Sequence, residues 1–267
     1  MPEGHTIHRA ARLQRRRFAG SRLSLDSPQG RFSEGAAALD GRTLITIDAY
    51  GKHLFYRWED GETLHVHLGL FGRFRMWTSD PPEPTDGTRL RWRADAGTLH
   101  LSGPTACELL DPDAEVAIRA RLGPDPLAPT PDGPVRFARG LARRRAPVGQ
   151  ALLDQALIAG IGNVYRAEML FLAGINPLRS AGDVTTAQAD QLWSLAVTLL
   201  GIGERIGRIV TVDHARRGYR RPRDVPRGER LYVYRRHGEP CLVCGAQIER
   251  VALSGRTVWW CATCQPS

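Results

Sequence analysis

CLVCGAQIERVALSGRTVWWCATC, residues 241–264, is the stretch from which the architecture is read. Its four cysteines, Cys241, Cys244, Cys261 and Cys264, are spaced C-x2-C-x16-C-x2-C, within the window of a four-cysteine zinc ribbon. Each C-x-x-C turns two thiolates toward one point, and two such knuckles close a tetrahedron with no open position. The spacing therefore predicts one structural Zn2+ and no catalytic metal. A disulfide pairing suits an oxidising compartment better than the one expected for this chain. Between the knuckles, two strand-like runs flank Ser254-Gly255, a β-hairpin with Arg256 at its tip. So short a segment builds no adequate core alone, and metal binding supplies its folding energy.

The ribbon sits at the end of a strongly basic region. Between Glu204 and Arg256 there are thirteen arginines against six acids, +7 of the formal +9 carried by the 267 residues. Charge concentrated in this way points to a polyanion such as a phosphate backbone. Of the 37 basic residues all but Lys52 are arginine. An ammonium is a compact charge that exchanges its proton, which guanidinium effectively does not. Lys52 is either chemical or a remnant of arginine-rich composition. No apolar run approaches the roughly 18 residues of a membrane span. The start lacks the basic-then-apolar order of a signal peptide, so a cytoplasmic protein is expected.

Upstream, an early helix is predicted over 5–18. TLITIDAYGKHLFYRW (43–58), TLHVHLGL (63–70) and TLHLSG (98–103) alternate as strands. LGPDPLAPTPDGPV (122–135), with five prolines in fourteen residues, reads as a linker. VGQALLDQALIAG (148–160) and NVYRAEMLFLAG (163–174) have helical spacing, and TTAQADQLWSLAVTLLGIG (185–203) is a longer helix. Residues 205–230 read as a mobile arginine-rich loop, and the last forty as a separate small unit. The expected class is α+β and multidomain. An antiparallel β-sandwich or barrel with a flanking helix spans 1–122 and a linker 123–135; a mainly helical domain spans 136–228 and a small four-cysteine zinc unit 229–267.

Within IAGIGNVYRAE, Gly160 and Gly162 permit a tight turn and Asn163 stands at an N-cap position. A helix start of this kind offers N–H groups to a phosphate, though a plain helical hairpin fits as well. LLGIGERIG (199–207) resembles the same pattern. His65 and His67 share a strand face with no third metal ligand apparent, and a metal at His5 and His8 would again lack further ligands; structural roles are expected for them. Cys107 reads as a small buried hydrophobe. MPEGHTIHR opens the chain. It is either a frayed end or, once the methionine is removed, a terminal secondary amine at Pro2.

Taken in order, MPEG, the lone lysine in YGKHLF, HLGLFG, LGPDPL, AGIGNVYRAE and the four-cysteine ribbon followed by Gln265 resemble the formamidopyrimidine-DNA glycosylase/endonuclease VIII family of base-excision repair enzymes. The resemblance runs from Pro2 to Gln265. It implies an N-terminal β-sandwich, then a helix–two-turn–helix domain and a zinc finger, with damaged DNA in the cleft between the two domains. It assigns Pro2 as nucleophile and Glu3 as its catalytic acid. Lys52 is given to β-elimination and phosphate contact, Asn163 to DNA binding, and Arg256 to δ-elimination and backbone grip. Arg121 falls at a DNA-contacting arginine of the endonuclease VIII branch, and Leu70 and Phe71 fall on that branch's Gln-Leu-Tyr wedge.

Three departures bear on the substrate. Thr6 stands where formamidopyrimidine relatives carry glutamate, SGPTACEL lacks their later Arg-x-Phe wedge, and Gly69 replaces the wedge glutamine. The resemblance thus leans to endonuclease VIII and to oxidised pyrimidines. The chemistry agrees with an amine nucleophile, since an α-amine titrates at about 7.7–8.0 and lysine at about 10.4. The expected enzyme is a bifunctional glycosylase/AP lyase acting through a Pro2 Schiff base and β,δ-elimination. It works as a nucleoid-associated monomer with damaged DNA as partner, no organic cofactor and no membrane attachment. A non-catalytic damaged-DNA-binding protein of the same fold is the alternative.

Overall fold

The computed structural model describes residues 2–267. The chain divides into two compact units, one ending at Ala120 and the other beginning at Arg121.

The first unit starts with α1 (Gly4–Phe18), β1 (Ser24–Asp26) and α2 (Ser33–Leu39), followed by β2 (Leu44–Tyr50), β3 (His53–Trp58) and β4 (Thr63–His67). It continues through β5 (Arg73–Trp77), β6 (Thr88–Ala94), β7 (Gly97–Ser102) and β8 (Ala106–Leu110) to α3 (Pro112–Ala120). The strands form two antiparallel sheets, ordered β1-β6-β7-β5 and β2-β3-β4-β8. Period-2 alternation sends Leu54 and Tyr56 of β3 and Leu64 and Val66 of β4 inward, against Leu90, Trp92, Leu99 and Leu101 of the other sheet. Tyr56 meets Trp92 edge to face, with centroids 5.3 Å apart. Burial of such rings contributes about 1.5–3 kcal/mol each. Helix α1 closes this core with Ile7, Ala11 and Phe18, and the Oε1 of its buried Gln14 accepts from the Tyr56 hydroxyl at 2.7 Å.

The sequence run 43–58 is two strands. Gly51-Lys52 forms a two-residue hairpin between β2 and β3, with Tyr50 opposite His53. Gly51 has φ +57, and a glycine is favoured at the first central position of such a turn. Lys52 therefore occupies the hairpin tip.

The second unit holds α4 (Gly133–Ala142), α5 (Val148–Ala151), α6 (Asn163–Leu172) and α7 (Thr186–Ile206), and then the hairpin β9 (Glu249–Leu253) and β10 (Arg256–Trp260). A capping box between Thr185 and Gln188 starts α7, and Gly207 at φ +75 ends it. LLGIGERIG thus lies at the end of one helix and makes no second glycine turn. The ribbon shares a core with α6, where Ala167 and Phe171 pack with Val233, Ile248 and Val258.

Three expectations change here. VGQALLDQALIAG is helical only over α5, because side chains capture the backbone beyond it. Asp154 accepts from the Ala156 N–H; Gln155 donates to the Leu153 and Ile161 carbonyls and accepts from Gly160 N. The supposed linker begins with a buried stretch from Leu122 to Pro126. Gly123 donates to the Gln155 carbonyl, and a Cβ there would strike the Leu157 backbone. The basic loop is also packed: Val210, Val212 and Val225 are buried together, with Ile206, Tyr219 and Tyr232 against them.

A fully buried carboxylate holds that loop and the ribbon to α6. Glu168 accepts from the backbone N–H groups of Tyr232, Val233 and Tyr234 at 2.7–2.9 Å and from the Thr211 hydroxyl. Burial pushes its pKa up, and these four donors oppose the rise. Glu168→Ala would leave them unsatisfied. The expected cost is about 3 kcal/mol of stability. Hydrogen exchange should show lost protection at Thr211 and Tyr232–Tyr234 first, with the sandwich unchanged.

Candidate functional site

In the first unit the chain start is built into the fold. Glu3 is the N-cap of α1, and its carbonyl accepts from Thr6 N at 2.8 Å. Its carboxylate makes no cap hydrogen bond, yet the residue is completely buried. Pro2 itself lines an open trough of about 510 Å³ with Thr6, Arg9, Leu68, Leu70 and Arg73. The structure thus brings Pro2, Thr6 and Leu70 together. Burial, and then nearby positive charge including Arg9, pushes His5 down to about 4, so this ring is neutral at physiological pH.

Leu70 and Phe71 occupy the tip of a turn closed by the Gly72 N–H donating to the Leu68 carbonyl at 3.0 Å. They are 52% and 84% exposed, unusual for side chains of this type in a packed sandwich. Gly69 explains the missing glutamine. It sits at φ +64, and a Cβ there would collide with the Thr105 hydroxyl, so this turn as built accepts only glycine.

In the second unit Asn163 is not the N-cap; extended Gly162 is, and Asn163 is the first residue of α6. Its amide is used elsewhere. Nδ2 donates to the Thr257 carbonyl of β10 at 3.1 Å, and Oδ1 accepts from Arg166. Arg166, also wholly buried, donates at 3.0 Å to the same Thr257 carbonyl and at 2.9 Å to Gly149 O. Asn163 is therefore tied to the strand that begins with Arg256. Sequence reasoning missed Arg166; its only signal was a helix with one arginine among apolar neighbours. The hairpin turns on Ser254 (φ +49) and Gly255 (φ +74), and Arg256 is exposed directly after it, paired with Leu253. Arg121 is exposed at the start of the unit.

The four cysteines converge. Their sulfurs all lie within 4.8 Å of one another, with Cys241–Cys264 at 3.9 Å and Cys244–Cys261 at 3.4 Å. Tetrahedral zinc with Zn–S of about 2.3 Å requires sulfurs about 3.8 Å apart, so the set fits one zinc ion. The Ala246 N–H lowers the Cys244 thiol to about 7, toward the thiolate that binds metal.

The order of these parts defines a class of DNA-repair enzyme, and comparison with known proteins gives the same order. Residues 1–106 match the formamidopyrimidine-DNA glycosylase N-terminal domain, 122–212 the formamidopyrimidine-DNA glycosylase H2TH domain, and 238–266 the zinc finger found in FPG and IleRS. The chain belongs to the formamidopyrimidine-DNA glycosylase/endonuclease VIII family. It is 46% identical to Endonuclease 8 1 of Mycobacterium bovis over 99% of this chain and 100% of that one. It is 35% identical to the formamidopyrimidine-DNA glycosylase of Parasynechococcus marenigrum over 99% of both. The Lactococcus lactis formamidopyrimidine-DNA glycosylase, solved non-covalently bound to AP-site DNA, superposes with a TM-score of 0.81 at 25% identity, covering 99% of this chain and 100% of that one. Members of the family are DNA glycosylases with AP lyase activity, and this chain is a DNA glycosylase/AP lyase of base-excision repair. It carries a zinc finger, and none of its described helices is long and apolar enough to cross a membrane.

Metal analysis should find one zinc per chain. Cys261→Ser should release it and open the β9–β10 amides to exchange, while α7 stays protected.

Proposed function

We propose that the enzyme removes oxidised pyrimidines through a covalent Pro2 intermediate and then cuts the strand by β,δ-elimination. With the start methionine removed, the Pro2 nitrogen attacks C1′ as the N-glycosidic bond breaks and the base departs. Glu3 protonates the ring oxygen, the sugar opens, and an iminium joins Pro2 to C1′. The iminium acidifies the C2′ hydrogen, and its loss expels the 3′ phosphate. A second elimination expels the 5′ phosphate and leaves a one-nucleotide gap. Lys52 grips a phosphate and serves the first elimination. Arg256, whose guanidinium cannot readily give up a proton, acts in the second by holding charge. The placement of Pro2 on a trough beside buried Glu3 is the observation that carries this reading.

Leu70 and Phe71 fill the gap left by the extruded nucleotide, whose unstacking costs a few kcal/mol. Asn163 and Arg121 contact the DNA backbone. Oxidised pyrimidines are favoured by Thr6 in place of the family's glutamate and by the 46% identity to an endonuclease 8. The working division is a catalytic domain over 1–122, a connection over 123–135, the helical DNA-binding domain over 136–228 and the zinc finger over 229–267. The protein acts on damaged DNA as a cytoplasmic, nucleoid-associated monomer without an organic cofactor.

Borohydride should trap the mature protein on thymine glycol or abasic DNA. One extra residue ahead of Pro2 should abolish trapping and leave binding intact; trapping by the extended protein contradicts Pro2 as nucleophile. Glu3→Gln should lower base excision by about 10²–10⁴-fold, as expected for loss of a general acid, and spare trapping on a preformed abasic site.

A further inference from the structure

Arg235 takes no part in the chemistry above, and local backbone rules argue against an arginine at its position. Residues 233–236 form a β-turn closed by the Arg236 N–H, which donates to the Val233 carbonyl at 3.1 Å. Arg235 is the third residue of this turn, at φ +62. Positive φ at that position calls for glycine or asparagine, because a Cβ crowds the adjoining peptide. Among the described residues other than glycine, Ser254 in the zinc-finger hairpin is the one further case of positive φ.

The turn is clamped on both sides, so it does not relax around the arginine. Ahead of it, the Glu168 carboxylate holds the N–H groups of Tyr232, Val233 and Tyr234 at 2.7–2.9 Å. Behind it, the Arg236 guanidinium donates to the Tyr232 and Pro240 carbonyls at 2.7 and 2.9 Å and pairs with Glu239 at 2.8 Å. The Tyr234 ring meets Trp259 of β10 edge to face, with centroids 4.8 Å apart. Backbone strain persists only where the surroundings over-determine it, and it gathers at binding and catalytic sites.

The arginine side chain does little for the fold. It is exposed, and its guanidinium carbon lies 5.5 Å from the centre of the Tyr234 ring, near the outer limit of about 6 Å for a cation–π contact. Among the described residues, no hydrogen bond or ion pair engages this guanidinium. Its neighbour Arg236 is occupied by Glu239 and two carbonyls, so the turn presents one unpaired cation at its tip. Arg250, also exposed, stands opposite Trp259 in the hairpin register and adds to the positive field. We propose that Arg235 is a DNA-binding residue whose guanidinium grips a backbone phosphate, and that its strained turn persists because this contact needs a cation held at a fixed point. A planar fork of donors suits a phosphate, and a rigid turn backed by an aromatic ring leaves little side-chain freedom to lose on binding. The assignment rests on the chain being a DNA glycosylase, and not on Pro2 or on which base is removed.

The test measures affinity of the mature, zinc-loaded enzyme for duplex DNA carrying a tetrahydrofuran abasic analogue across a potassium chloride series, with melting temperatures alongside. Losing one phosphate contact makes the slope of log affinity against log salt shallower by about 0.9. Arg235→Gly and Arg235→Asn both remove the cation and suit the turn. Each should bind more weakly, show that shallower slope and melt at or above the wild-type temperature. Arg235→Lys keeps a cation and should keep the wild-type slope; a shallower slope there contradicts a charge contact. A wild-type slope in the glycine and asparagine variants overturns the phosphate contact. A melting temperature well below wild type in either of them shows that the arginine serves the fold, and overturns the argument from strain and the assignment with it.

Discussion

Two opposite charges buried on one helix hold the second unit together. Arg166 and Glu168 lie two residues apart on α6, so they face different neighbours, and both are inaccessible to solvent. The guanidinium gathers Asn163, the Thr257 carbonyl and the Gly149 carbonyl; the carboxylate gathers Thr211 and three consecutive backbone N–H groups from Tyr232 to Tyr234. Each ion is costly to bury, and each is offset by hydrogen bonds that its own segment could not otherwise make. The consequence is functional. Asn163, the strand following Arg256 and the packed basic segment are all referred to one rigid element, so the second unit presents its cations in a fixed arrangement.

The first unit meets a different constraint. A nucleophile made from the chain terminus is useful only if the terminus is held. Here the helix begins immediately after Glu3, and the sandwich core takes up α1 through Ile7, Ala11 and Phe18. Pro2 is therefore two residues from a fixed helix start, where a frayed end would have left it unplaced. The glycine-closed turn at Leu68–Gly72 does the same for two apolar side chains that gain nothing from water.

Much of this was legible in the sequence. The cysteine spacing pointed to the ribbon, period-2 alternation marked β2, β3, β4 and β7 but not β1, β5, β6 and β8, and Ser254-Gly255 placed Arg256 at a hairpin tip. What was hidden shares a physical cause. VGQALLDQALIAG has helical spacing, but Asp154 and Gln155 divert its backbone, a contest of local hydrogen bonds that periodicity does not register. Asn163 is a good cap by residue type, and it is drawn away by Thr257, a partner 94 residues distant. The arginine-rich segment looked mobile because its order comes from Glu168 on α6 and from three sparse valines of its own, Val210, Val212 and Val225, which meet only in the folded chain. His65 carries no readable sign in the sequence of its hydrogen-bond partners, His53 and Glu108, because they lie on neighbouring strands.

The central claim is that the terminal amine, and not Lys52, carries the covalent intermediate. Peptide mapping by mass spectrometry of the borohydride-reduced enzyme–DNA adduct tests it directly. The account predicts the sugar remnant on the peptide that begins at Pro2. A remnant on the peptide containing Lys52, with Pro2 unmodified, contradicts it.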